Sequence, residues 1–200
     1  MKSVLISTRP KLVEKICHKI GEDETGKAIY EKRIEVRKTA PKEVPFKCYI
    51  YETKGQYVKF THGAHTKYGY GRGKVIGEFI CDKVEMVNAK FSDYGIDLFY
   101  HDCLTNGCLT EREIEKYFNV PEDRDLRAMK GNGYVWHISD LKIYDSPKEL
   151  SEFSRPCSYS GLCFSCKRTS FKKDGNLLCN TKISRPPQSW MHVEDLGEEE

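Results

Sequence analysis

Short segments in which apolar and polar residues alternate recur along the chain, and they constrain its fold more than any other feature. Lys32–Lys38 places Ile34 and Val36 on one face and charged side chains on the other, and Phe46–Thr53 alternates in the same way. A period of two is typical of a half-buried strand. Further strands are predicted at residues 3–7, 74–86 and 134–144. Gly77 within one of them indicates a bulge or a close backbone approach.

Short helices are predicted between these strands. After Thr8-Arg9-Pro10, apolar residues recur at helical spacing and predict a helix ending near Gly21; they are Leu12, Val13, Ile16 and Ile20. Thr110-Glu111-Arg112-Glu113 is a capping box and predicts a helix over about residues 111–118. The same pattern at Ser146–Glu149 predicts another short helix. Together these elements predict an α+β fold, interpreted as a small β-barrel with flanking helices.

Composition excludes several classes of protein. Aromatic residues make up 12% of the 200 residues, enough to anchor a core, which argues against disorder throughout. No apolar run approaches the roughly 18 residues that a membrane span needs. The N-terminal segment has too short an apolar stretch for a signal peptide, so a cytoplasmic location is expected. Nine cysteines, an odd number, disfavour a disulfide scaffold and favour thiols or metal ligands.

Charge is distributed unevenly along the chain. Residues 1–90 contain 19 lysines and arginines against 11 acids, whereas residues 91–200 contain 14 against 19, so a formal net charge of +3 hides a basic half and an acidic half. A basic half is typical of a protein that contacts a polyanion with one face. Ordinary solvated surface charge is the alternative interpretation.

The most informative charged segment is the strand Lys32-Arg33-Ile34-Glu35-Val36-Arg37-Lys38. If Ile34 and Val36 face the core, Arg33 and Arg37 flank Glu35 on the opposite face. The two guanidinium groups would then hold Glu35 ionised, and their planar donors suit phosphate. This cluster predicts either a binding site for a nucleic-acid backbone or a base at Glu35. A surface ladder of ion pairs is the alternative.

Two further segments could contact nucleic acid. Residues 54–74 have no apolar period but combine glycines with aromatic and basic residues, including Tyr70 and Arg72, a composition that suits single-stranded nucleic acid or simply a flexible loop. His62 and His65 within it are a weak pattern for a metal site. Trp136 on the last predicted strand is either a core residue or a stacking platform, and His137 beside it is either a hydrogen-bonded barrel histidine or a catalytic one.

Four cysteines cluster near the C-terminus. A tetrahedral zinc site with four thiolates would stabilise this short, lysine-rich segment, and its ligands would be Cys157, Cys163, Cys166 and Cys179. Partial disulfide formation or uncoordinated thiols are the alternatives. We therefore predict a main domain over residues 1–152 and a Cys-rich appendage over residues 153–200 that packs back on it, with Trp190 as an anchor.

Several of these segments together resemble the ASCH domain, a family of PUA-like β-barrels. The resemblance starts with the order of strand, proline-initiated helix and the Lys-x-Ile-Glu-Val-Arg-Lys strand. It continues through Pro-Phe-Lys-Cys-Tyr-Ile-Tyr, Gly-Lys-Val-Ile-Gly-Glu-Phe, residues 134–150 and Arg185–Trp190. The later segments are similar to small bacterial and phage ASCH proteins. The resemblance covers most of the chain, while the loops differ.

The resemblance implies a PUA-like barrel with a basic cleft that recognises RNA or a modified nucleotide. Phosphate contacts would come from Lys32, Arg33, Arg37 and Lys38. One branch of the family resembles acetylcytidine amidohydrolases with a Lys-x-x-Thr pair; its lysine falls on Lys32, but Glu35 stands where the threonine would be. Other relatives look like ribonucleases, for which Lys32, Glu35 and His137 could serve. A hydrolase is therefore the alternative function, and a protein-binding accessory factor is a third.

Overall fold

The computed structural model describes residues 2–62, 65–88, 96–120, 132–157, 169–171, 177–179 and 181–197. Its helices are α1 (Pro10–Cys17), α2 (Ile96–Thr105) and α3 (Glu111–Phe118), with a 3-10 helix at Leu150–Glu152. The strands in the first half are β1 (Lys2–Thr8), β2 (Lys19–Glu22), β3 (Ala28–Tyr30), β4 (Ile34–Arg37), β5 (Phe46–Glu52), β6 (Gly55–His62) and β7 (His65–Gly71). Those in the second half are β8 (Val75–Cys81), β9 (Val84–Asn88), β10 (Asn132–His137), β11 (Ser139–Lys148), β12 (Thr169–Phe171), β13 (Leu177–Cys179) and β14 (Trp190–Val193).

Two sheets organise the fold. The larger sheet has the order β11-β8-β5-β1-β14, in which β1 and β5 are parallel and the other neighbours are antiparallel. The smaller sheet has the antiparallel order β4-β10-β9. Three separate hairpins, β2–β3, β6–β7 and β12–β13, complete the strands. The fold is therefore α+β, as predicted, but within the described residues no strand pairing closes the sheets into the expected barrel.

The core has three parts, and the sheet faces separate them. One face of the larger sheet packs against α1 and against Trp136 of β10. The opposite face carries Leu5 and Tyr49 and is covered by the 3-10 helix and residues near the C-terminus. The smaller sheet turns Ile34, Val36 and Val135 toward α2 and α3. Because side chains alternate along a strand, the remaining residues of β4 must point the other way, toward the larger sheet.

Several local predictions differ from the structure. The first helix ends at Cys17, and Ile20 is exposed in the β2–β3 hairpin, because the polar segment that follows pairs with itself instead of forming a loop. Within the segment 54–74, the strands β6 and β7 pair with each other in antiparallel orientation. The strand β11 runs on to Lys148, so the predicted helix from Ser146 is only the 3-10 turn. Gly77 confirms the predicted close approach, since a Cβ there would lie 2.5 Å from the Lys142 carbonyl oxygen.

The end of the chain is only partly described. Residues 158–168, 172–176 and 180 lie outside the described residues, and with them Cys163 and Cys166. The strand β14 pairs with β1 at the edge of the larger sheet, and the Trp190 ring lies 5.9 Å from that of Trp136. Trp190 therefore anchors this segment as the sequence predicts, while the division into two domains stays a prediction.

Candidate nucleic-acid interface

A buried ion cluster lies on the inner face of β4. Glu35 is the register partner of Trp136, and directly opposed residues share a face, so Glu35 points between the two sheets. Its Oε1 atom lies 2.9 Å from Nη2 of Arg37, and its Oε2 atom lies 3.4 Å from Nζ of Lys32. All three side chains are buried. The alternation on β4 is thus as predicted, but the charged face is interior, and Lys32 takes the place expected of Arg33.

Backbone carbonyls hold both cations in place. The Lys32 ammonium donates to the carbonyl oxygens of Ile34 at 2.6 Å and Gly107 at 3.0 Å. The Arg37 guanidinium donates to the carbonyl oxygens of Ser7 at 3.0 Å and Ser189 at 3.2 Å. Arg37 therefore joins β1, β4 and the segment before β14, and it fixes the geometry around the carboxylate of Glu35.

The cluster keeps Glu35 ionised. Burial acts to raise the pKa of Glu35, but the nearby charges of Lys32 and Arg37 outweigh it and leave this pKa below its ordinary value. A carboxylate with a lowered pKa accepts hydrogen bonds well and is a weak general base. The arrangement is therefore better suited to recognising a donor group than to moving a proton.

This cluster lines a cavity of about 400 Å³ between the end of β1, the first turn of α1, β4 and α3. The cavity lies within the size range of small-molecule sites. Its charged lining consists of five cationic side chains and two carboxylates: Arg9, Lys32, Arg37, Lys38, Lys116, Glu35 and Glu113. Apolar and aromatic surface comes from Leu12, Val36, Leu109 and Tyr117. The net charge of the lining favours an anionic ligand.

Exposed cations surround the opening of this cavity. Arg9 forms an ion pair with Glu113 at 2.9 Å, and Lys38 lies over the Tyr117 ring, with Nζ 5.1 Å from the centroid. Lys116 is exposed on the same helix and has no ion-pair partner among the described residues. These groups are more exposed to solvent than the buried cluster, so they are placed to contact phosphate as a ligand enters.

Three buried polar atoms on the cavity lining have no hydrogen-bond partner within the described residues. They are the hydroxyl oxygen of Thr8, the Oε2 atom of Glu35 and the Nε–H group of Arg37. A buried polar atom without a partner costs about 1–3 kcal/mol. Together they offer one strong acceptor, one donor and one hydroxyl that can do either.

The local sequence explains why the lining residues meet here. Pro10 occupies the first helical position of α1, which turns the chain sharply after Thr8 and leaves Arg9 at the N-cap. Thr110 and Glu113 form the predicted capping box, which starts α3 so that Lys116 and Tyr117 follow on the next turn. The capping box is visible in the sequence, but no pattern there indicates that this helix lines a cavity together with the end of β1.

The other predicted contact residues lie elsewhere. Arg33 is exposed and lines a different cavity. Tyr70 and Arg72 belong to the β7 end of the hairpin, where Tyr70 is 71% exposed and the Arg72 amide donates to Glu52. Trp136 is fully buried, edge-on to Phe46, so it packs beneath the ion cluster instead of presenting a stacking surface. Nucleic-acid contact by Tyr70 and Arg72 stays a prediction, and the burial of Trp136 argues against its contact.

Among the other residues predicted to be catalytic or to bind metal, His137 and Cys157 do not line this cavity. His137 lies 2.7 Å from Glu85, and because it is paired with Ile34 in the sheet register, it lies on the opposite face of β4 from Glu35. Cys157 is an exposed free thiol, and the side chain of Cys179 lies outside what is described. The described residues contain no group of three or more side chains that could hold a metal ion, so the four-cysteine zinc site stays a prediction.

No protein-family model matches the sequence, and neither does any curated protein. Within the described chain, no helix has both the length and the apolar character needed to cross a membrane.

Solved structures do match. The crystal structure of ASCH from Zymomonas mobilis is 16% identical, with a TM-score of 0.44 over 74% of each chain. A mutant form of the same protein is also 16% identical, with a TM-score of 0.42 over 75% of this chain and 77% of that chain. Both of these structures are ASCH proteins, the family that the sequence resembles.

Proposed function

We propose that the cavity beside β4 binds a nucleotide, either free or as part of an RNA strand. The charged lining of the cavity carries this proposal, together with three of its residues, Thr8, Glu35 and Arg37, that each have a buried polar atom with no hydrogen-bond partner among the described residues. A nucleobase or sugar presents both the donors and the acceptors that such atoms need. The Glu35 carboxylate would accept from an amino or hydroxyl group of the ligand. The Arg37 Nε–H group and the Thr8 hydroxyl would pair with its acceptors.

The charge at the opening supports the same ligand class. Arg9, Lys38 and Lys116 would contact phosphate, while Tyr117 offers a ring face beside them. A neutral or cationic metabolite would leave Lys38 and Lys116 without an anionic partner among the described residues. A nucleotide has both an anionic phosphate, which suits the exposed cations, and a polar base, which suits the buried ion cluster.

The hydrolase alternative has less support. The Lys32 ammonium donates to the carbonyl oxygens of Ile34 and Gly107 and forms an ion pair with Glu35, so it positions other groups and is not free to react. The lowered pKa of Glu35 makes it a weak general base. Binding without turnover is therefore the function that the geometry supports best.

Fluorescence anisotropy with short labelled RNA and DNA strands of the same sequence tests the proposal. We expect binding to weaken as salt rises, and Lys116→Ala to weaken it further and to reduce the salt slope by about 0.7, the value for one lost contact on a single strand. Lys42→Ala is the matched control, because Lys42 is exposed and does not line this cavity. Arg37→Ala is a poorer probe because Arg37 also holds Ser7 and Ser189.

Two results would contradict the proposal. The first is affinity that is indifferent to both salt and Lys116→Ala. The second is an equal loss of affinity in Lys116→Ala and Lys42→Ala, which would indicate attraction to the whole basic surface and not to this cavity. A comparison of the RNA and DNA strands then shows whether the 2′-hydroxyl contributes.

A further inference from the structure

A second cavity, of about 580 Å³, adjoins the first one at Lys32, which lines both. Its walls come from the β3–β4 connection, the turn between β8 and β9, and the turn between β10 and β11. Apolar side chains, including Ile29 and Leu141, share the lining with Tyr30 and several charged groups. The size and the mixed lining are again those of a small-molecule site.

Most charged groups around the second cavity already have partners. Lys27 pairs with Asp140 at 2.7 Å, and Lys83 pairs with Glu85 at 2.8 Å. Arg33 is different: it is exposed, lines the cavity, and has no ion-pair or hydrogen-bond partner for its guanidinium group among the described residues. It is therefore the cation that an anionic ligand could engage without breaking an existing pair.

Two hydrogen bonds hold the backbone of Arg33, whereas its guanidinium group has no partner among the described residues. Its amide donates to the carbonyl oxygen of Asn106 at 2.8 Å, and its own carbonyl oxygen accepts from the amide of Ile138 at 3.0 Å. These bonds tie the residue to the end of α2 and to the turn before β11. The guanidinium thus extends from a rigid point, which lowers the entropy lost when it binds phosphate.

One chain segment connects the two cavities. Residues 27–30, Lys32 and Arg33 contribute to the second cavity, and Lys32 and residues 35–38 contribute to the first. At about 3.3 Å per residue, the extended backbone from Arg33 to Lys38 covers about 17 Å. That span is longer than one nucleotide and suits a strand that passes from one cavity to the other.

We propose that the second cavity binds the neighbouring nucleotide of the same strand, with Arg33 on its phosphate. The preferred ligand is then a single-stranded oligonucleotide and not a mononucleotide. This inference rests on the proposed function, since it extends the site beside β4 by one subsite. It accounts for the placement of Arg33 outside the first cavity.

Isothermal titration calorimetry with the full chain separates the two subsites. The probes are the four ribonucleoside 5′-monophosphates, tested singly, and trinucleotides of the same bases. Arg33→Ala should weaken trinucleotide binding roughly tenfold, the loss expected for one hydrogen-bonded charge contact, and leave monophosphate binding unchanged. Lys116→Ala should weaken both. Arg155→Ala is the matched control, because Arg155 is exposed and lines neither cavity.

Other results of the titration would contradict one or both proposals. If monophosphates bind and trinucleotides bind no tighter, or if Arg33→Ala weakens both probes equally, the second subsite is refuted while the first survives. If neither probe binds wild type at low salt, the proposed function and this inference both fail. Far-UV circular dichroism of the Arg33→Ala variant checks that its secondary structure is that of the wild type.

Discussion

Replacing Glu35 with glutamine should destabilise the protein substantially at neutral pH. The substitution removes a buried negative charge and leaves Lys32 and Arg37 buried as two cations without an anion between them. Removing one partner of a buried pair typically costs about 3–5 kcal/mol. Both cations keep two backbone carbonyl partners, and the glutamine oxygen can still accept, so we expect a loss near the lower limit, about 3 kcal/mol.

Urea unfolding monitored by tryptophan fluorescence measures this loss. With a slope of about 2–3 kcal/mol per M of urea, the midpoint should fall by about 1–1.5 M. The environment of Trp136 changes on unfolding because the ring is buried beside the ion cluster, so it reports directly on the region that is changed. A matched control is Glu24→Gln, in the exposed β2–β3 turn, which should shift the midpoint very little.

The difference between wild type and Glu35→Gln should depend on pH. Because the pKa of Glu35 is lowered in the folded protein, its ionised form stabilises the fold above the unfolded value of about 4.3, and this contribution is lost as pH falls through the folded pKa. The gap should therefore be full above about pH 5 and shrink below about pH 4. A difference in the free energy of unfolding below about 0.5 kcal/mol at pH 7 would refute the interpretation that Glu35 stabilises the two buried cations beside it. So would a gap that stays constant through the acid range.

Three further substitutions or measurements test other features. Thr110→Ala removes the capping box of α3 and should lower the free energy of unfolding by about 1 kcal/mol, measured by urea unfolding. Gly77→Ala places a Cβ 2.5 Å from the Lys142 carbonyl oxygen and should cost about 1–3 kcal/mol in the same assay. Elemental analysis of protein purified without added metal should find about one zinc per chain if the four C-terminal cysteines form a structural site.

Each of these outcomes has a clear contrary result. An unchanged stability of Thr110→Ala would mean that tertiary contacts alone hold the start of α3. A neutral Gly77→Ala would mean that β11 moves freely relative to β8. Zinc far below one per chain would count against the four-cysteine site, because structural zinc sites are normally occupied.

The strands β4 and β5 were predictable, because alternation reports directly on which face is buried. Residues 74–86 and 134–144, each predicted as one strand, form two strands each, and the two belong to different sheets. The segments around Ile34 and Val36 form β4 as expected, and the face opposite these two residues carries Glu35 and Arg37. Alternation assigns side chains to two faces but does not show what covers each face. Here the charged face is covered by the larger sheet, so a cluster expected on an open cleft is interior instead.

The residues that surround the first cavity were less predictable. Thr8 and Arg9 looked only like the start of a helix, and Lys116 and Tyr117 looked like ordinary residues within one. Their roles depend on α3 and the end of β1 lining the same cavity, a long-range arrangement that no local pattern contains. The helix α2 was not predicted either, since its sequence Ile-Asp-Leu-Phe-Tyr-His-Asp-Cys-Leu-Thr has no marked apolar stripe at helical spacing.

The bond from Arg37 to the Ser189 carbonyl spans 152 residues of chain and has a consequence for biosynthesis. Domains tend to fold as they emerge from the ribosome, N-terminal parts first. A nascent chain holds Lys32, Glu35 and Arg37 early, but Arg37 obtains its last backbone partner only after Ser189 has been translated. The hydrogen bonds that hold the Arg37 side of the first cavity are thus completed late in synthesis.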